Sequence, residues 1–168
     1  MSLLRGVDRT VAMLCRWGVI LAMLGLFVLL LVAVVGRSVP ALAVSGYDEI
    51  VELLVVWLTM LGAVALWREG ALYRVASLEA ALPRPARRAL ALAQQLIMLG
   101  FALALVWWGW IFLVDSMEIA PFLGIDKGWW YAAIPIAGVP MAAYSLAGIW
   151  RILRGGADAM SGGGSLIA

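Results

Sequence analysis

Four long apolar runs divide the chain, at residues 17–36, 50–67, 89–114 and 128–150, and the only charged residue inside them is Glu52. The runs are continuous rather than alternating, so they do not read as strands with one wet face. A hydrocarbon core about 30 Å thick takes roughly 20 helical residues to cross. Runs of 20, 18 and 23 residues fit that span, and the third, of 26, must tilt or carry one end beyond the hydrocarbon. Backbone groups in lipid must be satisfied within the segment, which leaves helices or a closed barrel, and the continuity selects helices. The pattern predicts transmembrane helices at about 12–36, 48–67, 88–114 and 129–152.

The polar segments orient these helices. Arg5, Arg9 and Arg16 precede the first run, Arg68, Arg74, Arg84, Arg87 and Arg88 lie between the second and third, and Arg151 and Arg154 follow the fourth. These are ten of the twelve basic residues; the other two loops hold only Arg37 and Lys127. Because Lys and Arg are retained on the cytoplasmic side, both termini and the central loop are expected inside. The outer loops are left acidic, with Asp48, Glu49, Asp115, Glu118 and Asp126. The expected fold is an all-α integral membrane domain over 1–154, with four transmembrane helices, both ends in, and a flexible Gly/Ser-rich tail at 155–168 that resembles a linker.

Two loops carry local signals. Leu72, Val75, Leu78 and Leu82 recur at spacings of three or four, with Arg74, Ser77 and Glu79 between them. This predicts a short amphipathic helix at about 71–82 on the inner membrane surface, ending at Pro83 and Pro85. Arg84, Arg87 and Arg88 then lead into the third helix as an anchor to anionic lipid. On the outer side, Ser45-Gly46-Tyr47-Asp48 places a hydroxyl three residues before a carboxylate, as in a capping box, with Asp48 and Glu49 near the positive helix end.

Composition narrows the function. The chain has 168 residues, 65% of them hydrophobic, and a mean hydropathy of +1.04. A soluble domain of this size has no way to keep so much apolar surface from water, so lipid is the solvent for most of it. The net charge of +2 sits beside the spans, not on one soluble face, and does not indicate nucleic acid. Cys15 is the sole cysteine, which rules out an intramolecular disulfide, and reads as a small apolar residue at a helix start. Histidine is absent, which excludes bis-histidine haem ligation and argues against a transition-metal site. The basic N-terminal segment, the first run and Ala41-Leu42-Ala43 imitate a signal peptide, but a run of 20 exceeds the 7–15 residues of a signal core. It is expected to be retained as a helix.

Nine tryptophans are many for this length. Trp17, Trp67, Trp129, Trp130 and Trp150 fall at span ends and fit an interfacial belt, the last three as lipid anchors. Trp107, Trp108 and Trp110 suit belt, lipid face or partner contact alike. Trp57 lies near mid-membrane, where a partner helix or a bound lipid suits it better than water. Glu52 has two readings, an ion site or a structural carboxylate at the interface or paired to a neighbouring helix, and the second is favoured because no further polar groups join it. Thr59, Gln94 and Gln95 can bond between helices, each worth about 0.6–2 kcal/mol. Pro135 and Pro140 bracket Gly138 and favour a kink that shapes a groove for another protein. No phosphate loop, catalytic base or metal-spaced carboxylate cluster is present, so neither an enzyme nor a cofactor is expected.

Several stretches together resemble one family. They are Ala65-Leu66-Trp67-Arg68-Glu69-Gly70-Ala71 after the second run, then Arg74-Val75 and Leu82-Pro83, then Ala120-Pro121-Phe122-Leu123-Gly124-Ile125, followed by Trp130-Tyr131 and Ile134-Pro135. A carboxylate early in the second helix, Glu52, with Trp57 after it, is also similar. In order and spacing, from about 11 to 154, they resemble the small membrane subunit of tripartite ATP-independent periplasmic (TRAP) transporters, the DctQ-like family. Where that family often has a His and an Asp around the Arg-Val pair, this chain has Leu72 and Ala76, and Asp126 stands where a Pro is frequent.

The resemblance implies a non-catalytic subunit in the bacterial inner membrane. Its partners would be a large membrane subunit, which carries a carboxylate solute inward by a sodium-coupled elevator movement, and a periplasmic binding protein that delivers the solute. It makes Glu52, Trp57, Arg68, Arg74, Pro121, Gly124, Tyr131 and Pro135 candidates for partner contact or structural support. Two other readings stand beside it: a small self-contained ion-coupled carrier using Glu52, and a membrane enzyme or redox subunit.

Overall fold

The computed structural model of the chain describes residues 2–38, 46–69 and 83–155. They form α1 (Ser2–Ser38), α2 (Tyr47–Glu69), α3 (Arg84–Asp115), the single turn α4 (Gly128–Tyr131) and α5 (Ala133–Gly155). Four helical spans, the last running from α4 through α5, are long and apolar enough to cross a membrane. Among the described residues no strand forms, and the outer loop holds one isolated antiparallel bridge, Ile119 to Asp126. The expected surface helix at 71–82, the Ser45 cap and the tail from 156 lie outside the described residues.

Helix α1 starts at Ser2 rather than near 12. The arginine-bearing turns before the apolar run are rich in residues that favour helix, such as Leu, Arg and Met, so the helix extends beyond the stretch that needs lipid. Helix α3 starts with Pro85 in its first turn, where a missing N–H costs no helix bond. Pro135 occupies the same kind of position in α5, whereas Pro140 is interior, and α5 continues past it to Gly155. The Ala132 amide reaches Gly128 O at 2.8 Å and the Ile136 amide reaches Ala132 O at 3.2 Å, which joins α4 to α5.

α5 is the central helix and packs between α2 and α3, while α1 lies against α2. In lipid, close approach of backbones replaces the hydrophobic drive, and small residues permit it. On the α3–α5 seam, a Cβ at Gly109 would meet Pro135 N at 3.2 Å, and one at Gly138 would meet Val106 N at 3.1 Å and Ala102 O at 3.2 Å. The α1–α2 seam is looser. There Gly18 faces only the tip of Leu61, and Gly25 the tip of Leu54. Half of the most apolar stretch of the α4–α5 span is buried within the chain, against 6% of that of α1.

Cross-helix contacts also fix the register. Trp67 of α2 meets Ser145 of α5, Gln95 of α3 lies against Gly148, and Arg88 Nη2 donates to Leu153 O at 3.2 Å. Beyond the Trp67–Ser145 level, α5 therefore continues to Gly155, roughly 15 Å at 1.5 Å per residue, paired with the first turns of α3 but no longer with α2.

Candidate functional site

Two polar clamps sit inside this apolar frame, one near each end of α2. At the end bearing Arg68, the Asp8 carboxylate of α1 accepts from Arg68 Nε at 2.6 Å and from Arg68 Nη2 at 2.7 Å. Tyr144 of α5 donates its hydroxyl to Asp8 Oδ1 at 2.9 Å. One carboxylate thus ties three helices, and the bidentate fork fixes orientation as well as distance. Beside it Trp67 Nε1 donates to Ser145 Oγ at 3.1 Å, and its ring stacks on Phe101 of α3 with centroids 6.2 Å apart.

At the opposite end, Glu49 in the first turn of α2 accepts from the backbone amides of Phe122 and Leu123 at 3.0 and 2.9 Å. This carboxylate holds the loop between α3 and α4 against the start of α2. Gly46, with φ +81, lets the backbone pass the Phe122 side chain, where a Cβ would stand 2.7 Å from Phe122 Cβ. The loop is braced internally. Gly124, with φ +63, donates to Ala120 O at 2.9 Å, Asp126 Oδ1 accepts from Gly128 N at 2.7 Å, and Lys127 pairs with Glu118 at 3.3 Å. Bonding to the Glu118 carboxylate raises the pKa of the Lys127 ammonium above its ordinary value.

Between the clamps, α1 and α5 diverge over α2 and leave an apolar groove of about 440 Å³. Val11 and Leu14 form one wall, Ala137 and Ala143 the other, and Leu61 lies on the floor. Trp57 and Ala133 stand at one end, and Asp8, Tyr144 and Ala147 at the other.

The sequence candidates are spread over these features. Arg68 is in the first clamp and Trp57 lines the groove, with its Nε1 donating to Trp129 O at 3.1 Å. Tyr131 donates to Glu118 Oε2 at 3.1 Å and meets Phe112 edge-on at 5.0 Å between centroids. Pro121 and Gly124 sit in the loop that Glu49 holds, and buried Pro135 packs against Gly109. Glu52 is exposed and forms no hydrogen bond or ion pair with a described residue, although its charge reaches Lys127 and Tyr131. Arg74 and the side chain of Arg84 lie outside the description.

Two tryptophans differ from their expected place. Trp130 is 3% exposed and so does not serve as a lipid anchor, and Trp67 at 5% is not belt either. Both rings turn into the chain, because a span end on one helix is a packed position where a neighbouring helix runs on. Trp17, Trp129 and Trp150 stay exposed, with the Arg154 guanidinium 4.2 Å above the Trp150 ring. Arg88 spends one donor on the last turn of α5. Asp8, Tyr144 and Ser145 were not singled out by the sequence pattern, yet they bond Arg68 and Trp67 across helices, and Glu49, read only as a charge near the positive helix end, holds the loop. Among the described residues no group of three or more Cys, Asp or Glu lies close enough to hold a metal ion.

Helices of membrane length, whose polar groups fasten one helix to another, define a multi-pass membrane protein. The family model of the DctQ component of tripartite ATP-independent periplasmic transporters matches residues 26–155. The chain belongs to that family and is a small component of such a transporter. Among curated proteins none matches it.

Proposed function

We propose that this chain is the non-catalytic small membrane subunit that braces the large, elevator-type subunit of its transporter. In this reading the complex takes up a carboxylate solute, delivered by a periplasmic binding protein and driven by sodium. The chain resides in the bacterial inner membrane with both termini in the cytoplasm. Family membership supports the reading, and one observation carries it further. Helix α1 is clamped at Asp8 yet only 6% of its most apolar stretch is buried, so an apolar surface fixed to α2 is left open to another membrane protein. In lipid such surfaces associate through packing, and a fixed helix offers more of it than a mobile one.

The test is copurification and transport. Coexpressed with the large subunit, the chain is expected to copurify stoichiometrically, and Leu21→Trp or Val28→Trp on the exposed face of α1 to weaken that association. The chain alone in liposomes is expected to give no sodium-driven uptake. Uptake by the isolated chain, abolished by Glu52→Gln, would overturn the proposal in favour of a self-contained carrier.

A further inference from the structure

The groove between α1 and α5 is long and apolar. From Ala133 to Ala147 it runs along α5 for roughly 21 Å at 1.5 Å per residue. Its lining is apolar save for Asp8 and Tyr144 at the Arg151 end, and about 440 Å³ of space over that length suits one extended hydrocarbon chain.

The end of the groove has a matching charge. Arg151 lies one turn beyond Ala147 and seven residues beyond Tyr144, so it shares the face of α5 that looks towards α1. It is partly exposed, lies within electrostatic reach of Asp8, and forms no hydrogen bond or ion pair among the described residues. Asp8 is already committed, with one oxygen on Arg68 and Tyr144 and the other on Arg68. The other charged residue of α5, Arg154, is basic, and no acid occurs in α3 before Asp115 or anywhere in α5.

We propose that the groove and Arg151 together bind one anionic phospholipid, with an acyl chain along the groove, its methyl end towards Trp57 and its phosphate at the Arg151 guanidinium. A guanidinium fork suits a phosphodiester. The chain occupies volume that the α1–α2–α5 contacts leave open, and the lipid becomes part of the packing between α1 and α5. This inference does not depend on the transported solute or on the large subunit.

The full chain, purified in detergent, is challenged with 1-palmitoyl-2-oleoyl-phosphatidylglycerol, with phosphatidylcholine of the same chains, and with inorganic phosphate. Binding is read by native mass spectrometry and by the thermal midpoint. Phosphatidylglycerol is expected to bind one to one and to raise the midpoint, with phosphatidylcholine weaker and phosphate silent. Arg151→Gln should lower phosphatidylglycerol affinity about fivefold, the effect of one arginine near an anionic surface. Ala143→Phe, at an exposed wall position, should abolish the bound lipid, and the milder Ala143→Leu should reduce it. Equal retention by wild type and both Ala143 variants overturns the groove, and a midpoint shift by phosphate as large as by phosphatidylglycerol reduces the site to an anion site. Crosslinking of Ala143→Cys to a helix of the large subunit, with no lipid retained, would also overturn the proposal.

Discussion

The α3–α5 pair and the α1–α2 pair are both antiparallel helix hairpins in the same apolar medium, yet they are held in opposite ways. On α3–α5, Gly109 and Gly138 face backbone atoms, so the seam is set there by shape, and α5 is half buried. On α1–α2 the glycines face only the flexible tips of leucines, and the fixed point is ionic, at Asp8 and Arg68. The first pair is a closed unit that makes its own core. The second is an arm fixed near one end, with most of its surface left for lipid or a partner. Small-residue packing and a charge clamp are therefore alternative solutions to helix association without a hydrophobic drive.

The largest test of this contrast is at the clamp. Asp8→Ala strands the Arg68 guanidinium, whose side chain is only 20% exposed, and should cost about 3 kcal/mol, the lower end for a broken buried pair. It is read as a lowered thermal midpoint in micelles. The double change Asp8→Leu with Arg68→Met should recover much of that loss, because no lone charge remains. If the double variant is as unstable as the single one, the clamp acts through geometry that apolar side chains cannot reproduce. Next is Gly138→Ala. Its Cβ would stand 2.8 Å from Val106 Cγ2 and close to two backbone atoms that cannot give way, so about 1–3 kcal/mol is expected. Gly18→Ala on the other seam meets only Leu61 Cδ1, which can rotate, and should cost less than Gly138→Ala. Equal costs would erase the distinction between a closed seam and an open one.

Glu49→Gln removes the charged acceptor from two amide bonds and should cost about 1.5–3 kcal/mol if the loop is as tightly held as the distances indicate. Faster hydrogen exchange at Phe122 and Leu123, with α1 unaffected, is the specific signature. The smallest effect belongs to Lys127→Met, an exposed pair with Glu118 on which no midpoint change is expected. A raised lysine pKa means that whatever this pair contributes is present below the ordinary lysine range and fades only as pH climbs through the raised value.

The spans were legible because hydropathy acts on whole segments, and Trp17 to Gly36 needs no neighbour to declare itself. The clamps were not. Asp8 is a single acid among Arg5, Arg9 and Arg16, and its partner lies sixty residues away on another helix, so charge counting absorbs it into a basic segment. Glu52 drew attention as the deeper acid, although Glu49, one turn earlier, is the one whose oxygens meet loop amides. Trp67 and Trp130 show the same limit from the apolar side. Tryptophan at a span end fits an interface or a core equally well, and only the register against α5 distinguishes them for Trp67. Trp57 sits mid-span in α2. It lines the groove and donates to Trp129 O, contacts that its mid-span position in the sequence did not specify.

The staggered ends have a consequence for the bilayer itself. Helix α3 has 32 residues and α2 has 23, roughly 48 and 34 Å at 1.5 Å per residue, and the surplus falls on the side of Arg68. A flat slab that puts Arg88 at its surface sinks the Asp8–Arg68 pair by about half the hydrocarbon thickness, and one that puts Arg68 at its surface leaves the tip of α3–α5 standing in water. The chain therefore presents the bilayer with two hydrophobic thicknesses at once, thick along α3–α5 and thin along α2, and lipid at this step must tilt, thin or be replaced by protein.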